Sequence, residues 1–384
     1  MFEVNELIKA TEGKLICANK GVITKGVSID TRSIHPRDVF IAIKGNNFDG
    51  HDFIKEAITK GAGCIVCTHY AGHRAQGTRH KAAVIEVKDT IKALGDIARF
   101  HRRKFNIPVI AVTGSNGKTT TKEMAAQVLS GKSEVLKNEG TKNNHIGLPM
   151  TLLKLAGAHS FAVLEAGTNH PGEIDYLGGI CLPNIAIITN VGPSHLEYFK
   201  NERGVHREKT SLLKHLDSPR VAIFNADCRH LGPQVLKWQK QRVIIGFGIN
   251  CKSDFFATDI KIKNARIQFL LNHKYRFTLK TPGYYNIYNA LAAVALARIF
   301  GMGYKDIIKR LSGFIFPEGR LKITKLNNIN FIDDTYNSNP LSLHYALDVL
   351  GNFRARGRRI FVMGDMLELG DKAALHHSWA GKRA

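Results

Sequence analysis

The sequence lacks long apolar runs. Its 384 residues contain no stretch that approaches the roughly 18–20 consecutive apolar residues needed to cross a bilayer. The first residues, M-F-E-V-N-E-L, also lack the basic segment followed by an apolar segment that marks a secretory signal. These two absences favour a protein of the cytoplasm over a membrane or secreted protein.

Cysteine is scarce and its spacing does not suit a metal. Of six cysteines, only Cys64 and Cys67 form a C-x-x-C pair, and no second pair completes a zinc site. The pair lies in the apolar run C-I-V-C-T, which is typical of a strand, where positions three apart point to opposite faces. We therefore expect buried thiols in a reducing compartment.

Acidic residues are the scarcer charge. The chain has 32 Asp and Glu against 55 Lys and Arg, which gives a formal net charge of +23. This excess favours polyanionic partners such as nucleic acid, a membrane surface or phosphorylated small molecules. Because the basic residues are spread along the whole chain and form no arginine-rich arm, we expect no nucleic-acid partner.

The chain is too long for one ordinary domain, and its apolar patterns divide it into three. Residues 1–106 alternate short strand-like runs with helices. Residues 107–316 hold several buried-strand patterns separated by helices, and an alternating pattern over 255–281 indicates an antiparallel hairpin. Residues 317–384 contain strand patterns around 330–332 and 359–363. This third segment is shorter than a typical domain of about 100–150 residues.

The predicted fold class is α/β. We expect an N-terminal α/β domain, a central doubly wound sheet of the phosphate-loop ATPase type, and a partial C-terminal Rossmann-like domain. Helical patterns cover residues 53–60, 89–103 and 287–300. Buried-strand patterns cover residues 39–43, 64–67, 108–112, 161–165, 185–189, 221–224 and 243–246.

The clearest local motif is a phosphate-binding loop. The strand pattern at 108–112 is followed by T-G-S-N-G-K-T-T, and a helical pattern starts near Thr119. Glycines let backbone N–H groups turn onto phosphate oxygens, and the N-terminal end of a helix adds partial positive charge. We expect Lys118 to neutralise the β- and γ-phosphates and Thr119 to hold Mg²⁺. The predicted nucleotide-binding residues of this loop are Thr113, Gly114, Ser115, Asn116, Gly117, Lys118, Thr119 and Thr120.

The spacing of this loop differs from the common G-x-x-x-x-G-K-[ST], because Val112 stands where the first glycine would be. T-G-x-N-G-K-T-T instead resembles the phosphate loop of the Mur ligases and of the related folylpolyglutamate synthases. Further segments extend the resemblance over most of the chain. They are L-E-A-G-T-N-H-P-G-E-I from Leu164, S-H-L-E-Y-F from Ser194 and R-E-K-T-S-L from Arg207.

The resemblance implies a set of metal ligands. Glu165 would bind one Mg²⁺, and its position at the end of a strand facing the phosphate loop suits that role. His195 would bind a second Mg²⁺. Lys209 would react with CO₂ to form a carbamate, an anion able to coordinate the metal. Lys118, His195 and Lys209 are thus the expected catalytic residues.

The resemblance also implies where the nucleotide and the substrate bind. Tyr285 stands where the family usually has His, and Asn286 and Asn289, three apart on one helix face, are expected at the adenine. Arg320 and Asp334 are expected to contact ATP as well. The expected substrate-binding residues are Ser28, Thr31, Arg32, Lys44, Asp49 and His51, in segments that resemble uridine-diphosphate sites, and Thr141, Asn143, Asn144 and Asn337.

Motifs near the C-terminus indicate which reaction is catalysed. I-D-D-T-Y-N-S-N-P from Ile332 and G-D-M-L-E-L-G from Gly364 resemble the member of the family that adds D-alanyl-D-alanine to UDP-N-acetylmuramoyl-tripeptide. We therefore expect ATP-dependent amide-bond formation through an acyl phosphate, by a monomer. The third residue of the tripeptide, diaminopimelate or lysine, stays open.

Two other functions stay open at this point. Another amide ligase of the superfamily, such as a folylpolyglutamate synthase, is disfavoured by the N-terminal segments and by I-D-D-x-Y-N-x-N-P. A non-catalytic nucleotide- or UDP-sugar-binding derivative is favoured by the short third domain, in which the family pattern ends after Gly370. From that shortness we expect ATP and UDP-substrate binding to be present and ligation to be weak or lost.

Overall fold

The computed structural model describes residues 2–18, 22–70, 82–131, 134–229, 231–232, 242–263, 265–354 and 357–384. The chain divides into two compact units. Unit 1 comprises Met1–Asn106, His145–Gly157 and Gly179–Cys181. Unit 2 comprises Ile107–Asn144, Ala158–Gly178 and Leu182–Ala384.

Strands and helices are numbered in chain order over the described residues. The strands are β1 Phe2–Glu3, β2 Lys14–Cys17, β3 Ile23–Thr24, β4 Val27–Ser28, β5 Val39–Ile41, β6 Cys64–Cys67, β7 Ala83–Glu86, β8 Val109–Thr113, β9 Glu134–Lys137, β10 His159–Glu165, β11 Ile185–Ile188, β12 Val221–Asn225, β13 Val243–Gly248, β14 Phe255–Lys263, β15 Arg266–Leu271, β16 Tyr275–Leu279, β17 Lys322–Leu326 and β18 Ile329–Asp333. The α-helices are α1 Val4–Thr11, α2 Ile54–Thr59, α3 Thr90–Arg102, α4 Lys118–Leu129, α5 Gly147–Leu152, α6 Glu173–Cys181, α7 Leu196–Phe199, α8 Glu202–Ser211, α9 Asn286–Ile299, α10 Tyr304–Ser312, α11 Pro340–Asn352 and α12 Ala373–Arg383.

Unit 1 is built on a five-stranded sheet in the order β2-β7-β6-β5-β4. β4 to β7 run parallel, and β2 pairs antiparallel with β7. All four residues of β6 are buried, as a central parallel strand requires. The predicted helix at 89–103 is confirmed as α3, which begins after Asp89 because that carboxylate accepts the N–H groups of Ile91 and Lys92. The predicted helix at 53–60 is α2, preceded by a 3₁₀ turn.

Four of the six cysteines are buried, as the sequence predicted, whereas Cys228 is half-buried and Cys251 is exposed. Cys17, Cys64, Cys67 and Cys181 are buried free thiols. Burial raises the pKa of Cys64 and of Cys67 to about 12, so both stay protonated and unreactive at neutral pH.

Unit 2 is built on a nine-stranded sheet in the order β16-β15-β14-β13-β12-β11-β8-β10-β9. The strands from β9 to β14 are parallel, and β14, β15 and β16 form the antiparallel region predicted over 255–281. The chain leaves β8 towards β9 on one side and leaves β11 towards β12 on the other. β8 and β11 therefore flank a topological switch point, where the ends of α/β strands open a crevice for ligands.

The core of unit 2 positions the loop that follows β8. All five residues of β8 are buried, and α9 is buried along nearly its whole length. Apart from Asn286 and Asn289 near its start, the buried side chains of α9 are apolar, as expected for a helix enclosed by protein. It packs with α4 and the sheet in one apolar core, which includes Ile110, Met124, Phe247 and Leu291.

The last part of unit 2 has its own small core. β17 and β18 form an antiparallel hairpin. Leu343 and Leu347 of α11 cluster with Met366 and Leu369 of the segment that leads into α12, and with Ala380 of α12 itself.

The strand predicted at residues 359–363 is wrong. These residues form no strand, and Ile360 and Val362 are about three-quarters and nine-tenths exposed, at 74% and 87%. A buried strand needs a neighbouring strand for its N–H and C=O groups, and the segment pairs with none of the strands described here. Its apolar composition was therefore a poor guide to its structure.

No helix in the described ranges is long and apolar enough to cross a membrane.

Candidate active site

The loop after β8 turns at two glycines. Gly114 has φ +148° and Gly117 has φ +78°, the second in the left-handed region that precedes α4. A Cβ atom on Gly114 would lie 2.0 Å from Thr189 Oγ1, and one on Gly117 would lie 2.4 Å from Asn289 Oδ1. Glycine is needed at both positions because the backbone conformation and the close neighbours exclude a side chain.

Hydrogen bonds tie this loop to the segment after β11, across the switch point. The N–H of Ser115 donates to Asn190 O at 3.0 Å, and the N–H of Asn116 donates to Asn190 Oδ1 at 2.9 Å. Thr189 Oγ1 donates to Asn116 O at 2.6 Å. The loop is thus held in shape by protein contacts before any ligand binds.

We expect Gly114→Ala to disturb this arrangement. The new methyl group must displace Thr189 and break its bond to Asn116, and alanine is strained at this φ. The free energy of unfolding should fall by about 1–3 kcal/mol, and ATP affinity should fall with it, as measured by chemical denaturation and calorimetry. Gly351→Ala is the control, because a Cβ atom there meets nothing within 4 Å. Equal stability of the two variants would contradict the prediction.

Lys118, the first residue of α4, folds back onto the loop. Its Nζ donates to Gly114 O at 2.9 Å and to Ser115 O at 3.2 Å. Burial lowers the pKa of Lys118, and Arg320 acts in the same direction, whereas Glu165 raises it. An ammonium held at the N-terminal end of a helix is well placed to bind an anion.

Glu165 ends β10 beside β8, with Val112 as its partner in the neighbouring strand. It is only 1% exposed. Its Oε1 accepts a hydrogen bond from Asn143 Nδ2 at 2.6 Å, and its backbone N–H donates to Asn138 Oδ1 at 2.7 Å. Its Oε2 is buried and has no hydrogen-bond partner among the described residues. A buried, unpaired carboxylate oxygen is costly unless a cation comes to it.

Lys209 lies on α8 and is fully buried. No described group hydrogen-bonds to its Nζ. Burial lowers its pKa well below the ordinary value of 10.5; Lys118 also lowers it, whereas Glu208 and Glu165 raise it. The side chain therefore tends towards a neutral amine.

His195 lies in the segment between β11 and α7, with φ +50°. Its Nδ1 contacts Glu368 Oε2, from the segment between α11 and α12. The pKa of His195 is lowered chiefly by burial and also by Lys209 and Lys118, although Glu368 acts in the opposite direction.

Four residues predicted from distant parts of the sequence thus meet at one edge of the sheet. The charge of Glu165 raises the pKa of Lys118. The charge of Lys118 in turn lowers the pKa of both Lys209 and His195. Lys118 begins α4 after the loop that follows β8, and Glu165 is the last residue of β10. His195 lies after β11, and Lys209 lies within α8. No three His, Cys, Asp or Glu side chains converge as a ready-made metal site in the described ranges. Mg²⁺ is commonly held by one or two carboxylates together with substrate phosphates, so such convergence is not required.

Asn286 and Asn289 lie on one face of α9, as predicted, but both are buried and bonded to protein. Asn289 Nδ2 donates to Asn286 Oδ1 at 2.9 Å, and Asn289 Oδ1 accepts from Thr121 Oγ1 at 3.1 Å. Asn286 Nδ2 donates to Thr281 Oγ1 at 3.2 Å. Asn289 is bonded to Thr121 of α4 and lies close to Gly117, so the two asparagines support the phosphate loop.

The three site residues predicted near the C-terminus, Arg320, Asp334 and Asn337, make different contacts. The Arg320 guanidinium lies over the Tyr336 ring, 4.0 Å from its centroid. Asp334 Oδ1 accepts the N–H of Leu321 at 3.1 Å. Asn337 is exposed, and its Oδ1 accepts the N–H of Ser338.

Asp334 gives a prediction about pH. Burial raises its pKa to about 6, although Leu321 N–H and Arg320 oppose the rise. The folded protein thus holds this proton more tightly than the unfolded chain, and stability should fall as pH rises from about 4 to 6. Asp334→Asn removes the buried charge. We expect it to raise the free energy of unfolding by about 1–3 kcal/mol at pH 8 and to have little effect at pH 4.

Asp333→Asn is the matched control. The Asp333 pKa is lowered, mainly by hydrogen bonds from Thr335, so its charged form is favoured in the folded protein. Its replacement should therefore not stabilise the protein at pH 8. Denaturant melts of both variants at pH 4 and pH 8 make the comparison; stabilisation by both at pH 8 would indicate a general charge effect.

The N-terminal candidates gather at the carboxyl ends of β4, β5 and β6 in unit 1. Ser28 Oγ accepts the N–H of Asp30 at 3.1 Å, and Arg32 forms an exposed ion pair with Asp30, which holds the Asp30 pKa at about 2. Thr31 is buried, and its carbonyl accepts Lys60 Nζ at 3.0 Å.

The second N-terminal segment is organised around His51. Asp49 Oδ1 lies 2.6 Å from His51 Nδ1, and Lys44 Nζ lies 3.8 Å from Asp49 Oδ2. His51 Nε2 accepts the N–H of Thr68 at 3.0 Å, so the ring proton is on Nδ1 and donates to Asp49.

The loop between β9 and α5 joins the site through Asn143. Besides its bond to Glu165, Asn143 accepts the N–H of Gly167 on its carbonyl at 2.9 Å and donates its own N–H to Thr141 O at 2.7 Å. Asn144 is exposed.

Sequence reasoning missed several supporting residues. Buried Lys122 donates to Asn138 O at 2.7 Å and to Gly140 O at 3.0 Å, which holds the loop that carries Asn143. Buried Glu208 accepts the N–H groups of Gly172 and Ile174. Lys122 follows the phosphate loop by one helical turn, a spacing that could have drawn attention to it. No comparable signal marked Glu208.

Models of three family domains match the chain. They are described as the Mur ligase middle domain over residues 112–297, the catalytic domain of the Mur ligase family over 23–102, and the glutamate ligase domain of Mur ligases over 319–384. The chain belongs to the Mur ligase family.

Within this family, the chain is similar to individual proteins of one kind. The chain is 37% identical to the UDP-N-acetylmuramoyl-tripeptide–D-alanyl-D-alanine ligase of Buchnera aphidicola, over 99% of this chain and 83% of that protein. It is also similar to the crystal structure of MurF from Acinetobacter baumannii, with a TM-score of 0.91 and 34% identity over 99% of this chain and 82% of that one. MurF from Thermotoga maritima in complex with ADP has a TM-score of 0.82 and 27% identity, over 95% and 83%.

Proposed function

We propose that this protein is the ligase that joins D-alanyl-D-alanine to UDP-N-acetylmuramoyl-tripeptide, with ATP as the energy source. The names of its relatives support the substrates. Because ATP and UDP-linked precursors are cytoplasmic metabolites, the cytoplasm is the proposed compartment. The observation that carries the proposal is the meeting of Lys118, Glu165, His195 and Lys209 at the switch point of unit 2.

ATP is proposed to bind with its phosphates on the loop from Thr113 to Thr120. This loop ends at the N-terminal end of α4, whose partial positive charge favours anions, and Lys118 is proposed to leave its carbonyl partners and meet the β- and γ-phosphates. Arg320 and Asp334 are proposed to contact the nucleotide. Asn286 and Asn289, whose amides are bonded to protein, are proposed to act chiefly by holding the loop.

The residues present fit Mg²⁺. Glu165 offers a buried oxygen without a partner, Thr119 offers a hydroxyl at the start of α4, and His195 offers a neutral ring. When bound, Mg²⁺ would neutralise the charge that develops on the transferred phosphoryl group. We propose Thr119, Glu165, His195 and modified Lys209 as the ligands of two Mg²⁺ ions.

Lys209 is proposed to act as a carbamate. A C–N bond forms between its neutral Nζ and CO₂, and one proton leaves to solvent, so that a neutral amine becomes an anionic carbamate. Only the neutral amine has the lone pair for this step. The burial of Nζ and its lack of a partner favour that neutral form.

The proposed reaction has two steps. The terminal carboxylate of the tripeptide attacks the γ-phosphorus, the bond from phosphorus to the bridging oxygen breaks, and ADP leaves. The amine of D-alanyl-D-alanine then attacks the acyl carbon, phosphate leaves, and the amine loses a proton. Lys118 holds the phosphates close to the carboxylate, so positioning of two anions supplies most of the acceleration.

Substrate contacts are proposed at two places. Ser28, Thr31, Arg32, Lys44, Asp49 and His51 in unit 1 are proposed for the UDP portion. Thr141, Asn143, Asn144 and Asn337 in unit 2 are proposed for the rest of the precursor and the incoming dipeptide. Since Asn143 already donates to Glu165, its main proposed action is to orient that carboxylate.

Phosphate release by the purified protein tests the proposal. The assay contains ATP, Mg²⁺ and UDP-linked tripeptide, with and without D-alanyl-D-alanine. Release that depends on both substrates, with formation of the pentapeptide product, supports the ligase and contradicts the expectation of weak or lost ligation. Binding of ATP and UDP-tripeptide without release would instead favour a non-catalytic derivative.

A further inference from the structure

Glu368 lies in the motif G-D-M-L-E-L-G, whose residues have no place in the mechanism above. Its carboxylate contacts His195 Nδ1. An ionised carboxylate only accepts hydrogen bonds, so the proton of the neutral imidazole must be on Nδ1. Nε2 then carries the lone pair, and it has no hydrogen-bond partner in the part of the chain that the structure describes.

Both residues of this pair are held by the backbone. His195 has φ +50° and Glu368 has φ +60°, conformations that are unfavourable for residues other than glycine. The N–H of Glu197 donates to Glu368 O at 3.2 Å. Unfavourable backbone conformations on both sides of one contact indicate that the surrounding structure enforces it.

The segment that carries Glu368 is anchored in the small core of residues 317–384. Met366 and Leu369, two residues before and one residue after Glu368, are each 3% exposed. They pack with Leu343 and Leu347 of α11, and the N–H of Met366 donates to His377 Nε2 at 3.0 Å. Glu368 therefore reaches His195 from a fixed base.

We propose that Glu368 is the positioning residue of His195. It holds the imidazole in the tautomer that leaves the lone pair on Nε2, and so prepares His195 to bind a divalent cation. This rests on the proposed function, in which His195 is a metal ligand. It also gives the last motif of the chain a part in assembling the site. Carboxylates that orient metal-bound histidines typically affect metal affinity about 10- to 100-fold.

Metal binding by the full chain tests this inference. Mn²⁺ serves as the probe, and its affinity is measured by electron paramagnetic resonance in the presence of a non-hydrolysable ATP analogue. Glu368→Ala should weaken Mn²⁺ binding about 10- to 100-fold. Glu368→Gln, which keeps an oxygen acceptor for Nδ1, should recover much of that loss. Glu197→Ala is the control, because it removes an exposed carboxylate from the same neighbourhood and should leave affinity unchanged.

The ¹⁵N chemical shifts of His195 provide a second readout, which does not depend on metal or catalysis. The wild type and Glu368→Gln should show the Nδ1-protonated tautomer, whereas Glu368→Ala should show a mixture. Unchanged Mn²⁺ affinity and tautomer in Glu368→Ala, with weakened binding in His195→Ala, would overturn this inference and leave the proposed metal site standing. Unchanged binding in His195→Ala would overturn both.

Discussion

Replacing Lys118 with methionine should reduce substrate-dependent phosphate release by about 10³-fold or more. Lys118 places an ammonium within hydrogen-bonding distance of two loop carbonyls at the start of α4. In the proposed reaction the transferred phosphoryl group develops negative charge beside this ammonium, and methionine has similar length but no charge to stabilise it. Stability should change little, because relief from burying the ammonium offsets the loss of its two hydrogen bonds to loop carbonyls.

The Lys118 prediction has a simple control. Lys261→Met removes an exposed lysine from β14 and should leave both phosphate release and stability unchanged. Rates are measured under saturating substrates, and folding is checked by thermal melts. A Lys118→Met protein that retains more than a tenth of the wild-type rate would contradict the role of Lys118 in phosphoryl transfer.

Replacing Lys209 with methionine should lower the activity of the protein and raise its stability. Ligation should fall by about 10²- to 10⁴-fold, since the proposed carbamate can no longer form and a proposed metal ligand is lost. The free energy of unfolding should rise by about 1–3 kcal/mol in buffer free of CO₂. The reason is that the wild type buries an amine without a partner, whereas methionine fills the same space without a polar group.

The gain in stability from Lys209→Met should depend on pH. The Lys209 pKa is lower in the folded protein than its ordinary value of 10.5. Between these two values the unfolded chain binds more protons, so wild-type stability rises with pH. The advantage of the variant should therefore be larger at pH 6 than at pH 9, as measured by denaturant melts.

Lys122→Met provides the contrast. Lys122 is buried as completely as Lys209, but it donates to Asn138 O and Gly140 O and pairs with Glu123 at 2.9 Å. Its removal leaves those groups unpaired, so stability should fall. If both methionine variants changed stability in the same direction, the missing partner of Lys209 would not be the cause.

Much of the architecture followed from local pattern. The strands at 109–113, 185–188 and 221–225 could be predicted from the sequence because central parallel strands are continuously apolar. The helix boundary at Asp89 was readable because a side chain that caps a helix is a local feature. The segment at 359–363 has a similar apolar pattern and forms no strand, because strand formation also needs a partner that the pattern does not specify.

For the candidate site too, some features followed from the sequence and others only from the tertiary structure. Sequence by itself determined the phosphate loop, since its glycines, its lysine and the following helix form one continuous segment. It also predicted Glu165, His195 and Lys209 as site residues, through motifs rather than through physical necessity. Only the tertiary structure decided that Lys209 has no partner among the described residues, that Asn143 donates to Glu165, and that Glu368 contacts His195. Partner, burial and protonation state depend on groups distant in the chain, and the folded arrangement of sheet and loops sets those distances.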